Sequence, residues 1–596
     1  MNARLTLVVV GWLASACTPS SAVRPSSAEA STPEDARFTA LLAEDWEKNL
    51  REYPTLATFV GDPRYNDRLT DESFEAIARR KQEQRELFER VKGIDRSRLS
   101  PAQRLNYELF RREVESGLEG QRFPEEYLQI SQLGGVHDQM AGLAQGAPKR
   151  TVKDFQDFVK RLRAVPGMVD QSLALLRKGL ETGVTPPKVT LRDVAGLIRN
   201  QIVEAPEQSP IYRALFEGFP PSLKADEASL RAEVVTALRE AVVPAYRKLL
   251  VFFETEYSPR ARESIAMSAL PDGAAWYAYR VKELTTTDLT PEAIHQLGLA
   301  EVKRIRAEME KVKAEAGFQG SLAQFSQFLL KDPRFSFRSK EELLMTYRDL
   351  TKRLDPELPK LFRVLPRLPY GVLPIPEYSE KTVSAGYYMP GSLEAGRAGY
   401  FFVNTYDLPS RSTWMVDALV LHETVPGHHF QIALAQEQGG VPAFRRHGYY
   451  GAFIEGWGLY AESLGAELGA YRDPYAKFGR LASEMLRSIR LVVDTGLHSQ
   501  GWSREQALAF FREHSGEPEH DLTVEVDRYI VNPGQALCYK LGELKIQELR
   551  AFATRELGAR FDVRAFHEVV LRAGALPLPV LEQQVKAWVT QAPLAP

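Results

Sequence analysis

Three of the chain's ten histidines fall within eight residues, in the run Leu421-His422-Glu423-Thr424-Val425-Pro426-Gly427-His428-His429-Phe430-Gln431. Imidazole nitrogen is a good zinc donor, and a glutamate beside it can take a proton from water. Isolated histidines such as His137, His295 and His567 read as structural residues. A cluster in an apolar setting, with an acid next to its first member, reads as metal-assisted hydrolysis.

The spacing needs explanation. His422-Glu423 opens like the zinc-peptidase motif H-E-x-x-H, in which two histidines bind metal and the glutamate is general base. Four residues after His422, however, stands Pro426. In an unbroken helix His429 would share a face with His422 but stand about 10.5 Å along the axis, and His428 would lie about 240° round. Zinc holds its nitrogens at about 2.0–2.1 Å, so a regular helix fails for both. Pro426 cannot donate to the His422 carbonyl and crowds it, while Gly427 adds backbone freedom. A two-residue bulge at Pro426-Gly427 would return one histidine to the second-ligand position. With that pair omitted, His428 falls at plus four and is the preferred ligand, with His429 as support or substitute.

Zinc also needs a third protein ligand and one position left for water. Glu455 and Glu462 lie seven apart among Phe453, Ile454, Trp457, Leu459 and Tyr460. The arrangement resembles the third-ligand helix of aminopeptidase N-type zinc peptidases. That likeness makes Glu455 the ligand, and Glu462 can then orient a ligand histidine by accepting its other ring N–H. The expected centre is one Zn2+ ion held by His422, His428 and Glu455, with Glu423 as catalytic base.

The elements that position these groups are mostly helical. Apolar residues recur at three and four residues from Phe38 to about Tyr257. Thr290-Pro291-Glu292, Ser339 with Glu342, and Ser503 with Gln506 mark helix starts. The proline-rich stretch 354–376 excludes a long helix. Tyr387, Tyr388 and Tyr400–Val403, set among glycines, predict one small antiparallel sheet at about 378–408. From Trp414 onward the pattern is helical again. The expected organisation is an N-terminal helical lobe at 37–270 and a catalytic lobe at 271–596.

Composition narrows the class further. Lys+Arg 76 against Asp+Glu 78 gives a formal net charge of −2, which argues against a nucleic-acid binder that relies on phosphate neutralisation. Residues 1–16 read as an export signal. Leu13-Ala-Ser-Ala-Cys17 resembles a bacterial lipobox, and the segment 17–36 reads as a flexible tether after a lipidated cysteine. The expected location is the periplasmic face of the envelope, with Thr18 after the cysteine pointing to the outer membrane. Membrane contact would be through the lipid alone. Only Cys17 and Cys538 exist, so lipidation would leave no disulfide.

HETVPGHHFQ, EGWGLYAE, Asp494-Thr-Gly-Leu-His498 with Gly501-Trp502, Arg528-Tyr529 with Pro533-Gly534-Gln535-Ala536, and Tyr539-Lys540 together resemble bacterial domain-of-unknown-function family 885. The likeness implies a helical zinc hydrolase of gluzincin type, with two lobes around a cleft, similar in plan to angiotensin-converting enzyme and thimet-type oligopeptidases. It implies a peptide substrate. It suggests Tyr529, then His498, then Tyr539 or Lys540, as donors to the developing oxyanion. Asp494 joins His429 and Glu462 as a supporting or alternative ligand. Arg528, Tyr539, Lys540 and Asn404 are the substrate-binding candidates, and a strand at 400–406 could pair with an extended peptide. An ester or non-peptide amide substrate, or a structural zinc in a binding lipoprotein, would use the same residues.

Overall fold

The computed structural model describes residues 31–377, 380 and 385–591. The export signal, the lipobox cysteine and most of the tether lie outside the described residues. Where the tether was expected to reach 36, the chain is helical from Pro33, because Thr32 and Asp35 form a reciprocal capping box. Such a box satisfies two N–H groups that would otherwise lack partners.

The fold is mostly helical with two small sheets. In the N-terminal half, Phe38, Leu87, Tyr107 and Phe110 form one apolar cluster. Phe158, Leu176, Tyr246 and Phe252 belong to a larger one, built around the helix Val152–Thr182. Leu109 instead enters the core of the C-terminal half beside Phe337 and Trp457. No helix of the described residues is long and apolar enough to cross a membrane.

The sheets depart from the single antiparallel one expected. Strands β1 (Ile130–Ser131) and β2 (Gly134–Gly135) pair antiparallel, and two glycines carry no strand pattern to announce them. Strands β3 (Tyr370–Pro374), β4 (Gly386–Met389) and β5 (Gly399–Val403) form a mixed sheet in the order β3-β5-β4. β3 runs parallel to β5, and β4 runs antiparallel to it. β3 starts inside the proline-rich stretch, where Pro374 is tolerated because the strand lies at an edge. β5 is the central strand, so the segment at 400–406 cannot accept a peptide by edge addition.

Seven helices frame the site: α1 (Pro291–Glu315), α2 (Val416–Glu423), α3 (His428–Gln436), α4 (Gly451–Leu464), α5 (Pro474–His498), α6 (Glu519–Val531) and α7 (Cys538–Leu557). Thr290 caps α1 through the Ala293 N–H, with Pro291 in the first turn. Ser339 caps its helix as expected, but Glu342 bonds the Arg338 N–H instead of closing the box. Ser503 and Gln506 close theirs. α5 packs along α1, and α4 along α7. The second pair comes close because Gly456 and Gly542 face each other: a Cβ on Gly456 would sit 2.4 Å from the Gly542 Cα.

Candidate metal centre

The bulge expected within one helix is a complete break between two. α2 ends at Glu423, the Val425–Pro426 peptide is cis, and α3 begins at His428. Three contacts hold the break. The Trp457 indole N–H donates to the Pro426 carbonyl at 2.7 Å. The Thr424 hydroxyl donates to the Val420 carbonyl at 2.7 Å. Gly427 passes so close to α2 that a Cβ there would lie 1.9 Å from the His422 carbonyl oxygen. The chain thereby turns back on itself and sets the His422 and His428 rings 4.6 Å apart, nearly perpendicular.

Glu455, from α4, faces both rings. Its Oε2 is 3.3 Å from His428 Nε2 and 3.6 Å from His422 Nε2. That oxygen is buried and has no hydrogen-bond partner, as is His428 Nδ1. One donor atom from each of His422, Glu423 and His428 also lies within 4.8 Å of the others. The carboxylate oxygen thus converges with the two Nε2 atoms without bonding either, as a site for a shared cation requires. Two imidazoles and a carboxylate form a donor set that zinc accepts. The chemistry of the residues therefore fits zinc.

The next layer aims the ligands. Glu462 Oε1 lies 2.9 Å from His422 Nδ1, which leaves Nε2 to face the centre. Gly458 makes room for the ring, since a Cβ there would meet its atoms at 2.8–2.9 Å. Burial opposes the charged form of His422, but the Glu455 and Glu462 carboxylates outweigh it and raise the imidazole to about 9. Glu455 is held well below the usual carboxylate range, because the two imidazoles overcome its burial. Burial raises Glu423 above its ordinary value despite the same imidazoles. The two acids are thus biased in opposite directions, one towards the anion and one towards holding a proton.

Other expected residues stand elsewhere. His429 leaves the centre: its Nδ1 is 2.9 Å from the Tyr388 hydroxyl, its ring packs 4.4 Å from Tyr370, and burial lowers it to about 4. It fastens α3 to the sheet and is not a substitute ligand. Tyr529 is fully buried, accepts from Arg490 at 3.0 Å and donates to Glu525, so its hydroxyl is spent. His498 has both ring nitrogens committed to main chain, Nδ1 accepting from Met267 N at 3.0 Å and Nε2 bonding Tyr529 O at 2.9 Å. Asp494 accepts from the Tyr277 hydroxyl at 2.6 Å and the Gly534 N–H at 3.1 Å, which pins a turn rather than a metal.

Lys540 is fully buried with Glu543 at 2.6 Å, Glu484 at 2.7 Å and Glu301 at 3.1 Å, so it ties α1, α5 and α7 and does not meet substrate. Asn404 donates to the Glu380 carbonyl at 2.8 Å and accepts from Tyr406 N at 2.9 Å, which shapes the turn after β5. Tyr539 and Arg528, by contrast, do meet at the centre. The Tyr539 ring lies 6.1 Å from His422 at 20°, and its hydroxyl accepts from Arg528 at 3.0 Å.

The structure adds residues that the sequence did not single out. Arg487 and Arg490 enter from α5, where two arginines three apart on the polar face shared with Glu484 and Asp494 were the available signal. Tyr449 exposes 59% of its surface, yet burial of its phenol oxygen and the nearby Glu455, Cys538 and Tyr539 raise its pKa. Its signal was a tyrosine pair just before the ligand helix.

The profile of the family described as "Bacterial protein of unknown function (DUF885)" matches residues 54–585. The chain belongs to this family. The DUF885 match covers both halves of the molecule, including His422, His428 and Glu455. A crystal structure described as "the putative lipoprotein from Colwellia psychrerythraea" superposes with a TM-score of 0.88 at 28% identity, covering 94% of this chain and 99% of that one. A second, described as a "putative lipoprotein of unknown function from Shewanella oneidensis", gives 0.66 at 17% identity over 92% and 98%, and shares the fold. No curated protein matches the sequence.

Proposed function

We propose that this DUF885 protein is a zinc-dependent hydrolase of peptides. The observation that carries the reading is the placing of Glu455 Oε2 3.3 Å from His428 Nε2 and 3.6 Å from His422 Nε2, with a Glu423 oxygen within 4.8 Å of donor atoms of both histidines. With His429 turned into the sheet, no third imidazole comes from that segment, which favours a site open to water over a closed structural one. A zinc ion held by His422, His428 and Glu455 would supply Lewis acidity and make water acidic enough to attack near neutral pH. Glu423, biased towards holding a proton, accepts it from the attacking water and passes it to the leaving amine. Tyr539 takes the role first given to Tyr529: its hydroxyl accepts from Arg528, so its own proton is free for the developing oxyanion.

Peptide backbone has a place to lie. One edge of β4 carries β5, and no described strand pairs with the other. An extended substrate added there would use main-chain bonds irrespective of its sequence. The two lipoprotein descriptions and the lipobox at Cys17 support a lipid-anchored body at the cell envelope.

Metal content and turnover together test the proposal. Glu423→Gln is expected to keep bound zinc while peptide hydrolysis falls by at least about a thousandfold, beyond the usual 10²–10⁴ range for a lost acid–base group only if the water is also misplaced. Glu455→Ala is expected to lose the metal. A purified protein that turns over peptides unchanged after both substitutions, or after exhaustive chelation, would remove the reading.

A further inference from the structure

Three guanidinium groups surround the Tyr539 ring, which lies beside the candidate centre. Arg487, Arg490 and Arg528 lie 5.9, 4.4 and 5.9 Å from the centroid of the Tyr539 ring, whose ring in turn stacks along His422. Their local partners do not use up the cluster. Glu525 takes one bond from Arg490 at 2.9 Å and stands 3.5 Å from Arg528. Despite burial, those arginines hold Glu525 down at about 2, so it counts as one full negative charge. Glu462 is 3.8 Å from Arg487 but is already bonded to His422. Glu517 faces Arg487 and Arg411, yet burial and Asp521 push its carboxyl up to about 7, so it cancels them incompletely at neutral pH.

Two N–H groups of the cluster are left over. Arg490 Nη1 and Arg487 Nε are buried without a hydrogen-bond partner, and Arg490 itself is only 4% exposed. A buried charged donor without an acceptor is costly, and a carboxylate is the acceptor that matches a guanidinium best. We infer that Arg487, Arg490 and Arg528 form a subsite for a free carboxylate on the substrate, one or two residues from the bond that is cleaved. The reach agrees: a single tyrosine ring separates the cluster from His422, and an extended chain advances about 3.3–3.6 Å per residue. The inference rests on the hydrolase reading for its scissile bond, but not for the binding of the carboxylate.

The carboxylate has two sources, a chain terminus or an acidic side chain, and a substrate panel separates them. N-acetyl-Phe-Ala-Ala as free acid, the same peptide as C-terminal amide, and N-acetyl-Phe-Glu-Ala as amide are compared by kcat/KM. The free acid is expected to exceed its amide by at least tenfold if the terminus is read, and the glutamyl amide to exceed the alanyl amide if the side chain is read. Arg487→Gln and Arg490→Lys are each expected to bring the preferred ratio towards one. The lysine keeps a positive charge against Glu525, so it guards against simple unfolding, and melting temperature checks both. Calorimetric binding of the same three peptides to Glu423→Gln gives a readout without turnover. Carboxylate-selective binding with no hydrolysis by the wild type would keep the subsite and sink the hydrolase. Equal kcat/KM and equal affinity across the panel, unmoved by either arginine variant, would overturn the subsite alone.

Discussion

Gly458 leaves the space that the His422 imidazole fills, on the helix that also carries Glu455. Alanine is the better helix former by about 1 kcal/mol, so in an empty setting Gly458→Ala would stabilise α4. Here the added methyl meets the ring at 2.8–2.9 Å and must displace it from the converging donors. Zinc affinity is expected to fall about 10–100-fold, the range typical when support for a ligand is lost, as read by titration against a competing chelator. An affinity unchanged by the methyl would show that the ring has other room. At the same scale, His498 is an imidazole that burial pushes down from 6.5 to about 4. Between those values the unfolded chain binds a proton that the folded one refuses. Stability should therefore fall as pH drops through that window, by about 1.4 kcal/mol per pH unit for this one group. Asp494, raised from 3.8 to about 7 by burial, acts in the opposite sense across the whole of that window. The clean measurement is the difference in pH slope of unfolding free energy between wild type and His498→Gln. Parallel slopes would mean that His498 is not kept neutral.

The break between α2 and α3 is the element on which the centre depends, and Trp457 is its clamp. Trp457→Phe keeps most of the apolar volume but removes the N–H that the buried Pro426 carbonyl accepts. A loss of about 1–3 kcal/mol in urea unfolding is expected, with weaker metal binding alongside it. Loss of stability with metal affinity intact would separate the clamp from the site. Much of this element was legible in the sequence. Pro426 forbids the helical bond to His422, so a departure from regular helix, and the preference for His428, follow from spacing alone. The destination of His429 was not legible, because it depends on Tyr388 and Tyr370 in strands that are distant in sequence. Tyr529 was placed ahead of Tyr539 for the same reason. Only packing shows that Arg490 and Glu525 occupy one hydroxyl while the other lies beside His422. Lys540 read as a substrate-binding residue, because its three acidic partners come from α1, α5 and α7 and no one segment shows them together. The sheet was misjudged because a parallel pairing such as β3 with β5 leaves no local turn to read.

At the scale of the molecule, the two halves meet beside the arginine cluster, and Asp527 joins them. Its carboxylate accepts from Arg192 of the N-terminal half at 2.6 Å and from Arg504 of the C-terminal half at 2.6 Å. Its carbonyl accepts from the Gln132 side chain at 2.9 Å, at the turn of the β1–β2 hairpin. Asp527 is nearly buried, whereas Arg192 and Arg504 keep 47% and 25% of their side chains exposed, so solvent screens part of the attraction. Asp527→Asn keeps the shape and removes the charge. Its cost should fall between that of an exposed and a buried ion pair, about 1–3 kcal/mol. Because Arg528 follows directly in α6, loosening this joint should also reach Tyr539 and the proposed carboxylate subsite. Hydrogen exchange provides the decisive pattern. Faster exchange is expected together in β1–β2 and in α6, on opposite sides of the joint, with the α2–α3 break unaffected. Faster exchange in α6 alone would make Asp527 a local helix brace, and the halves would then be held by their apolar packing without it.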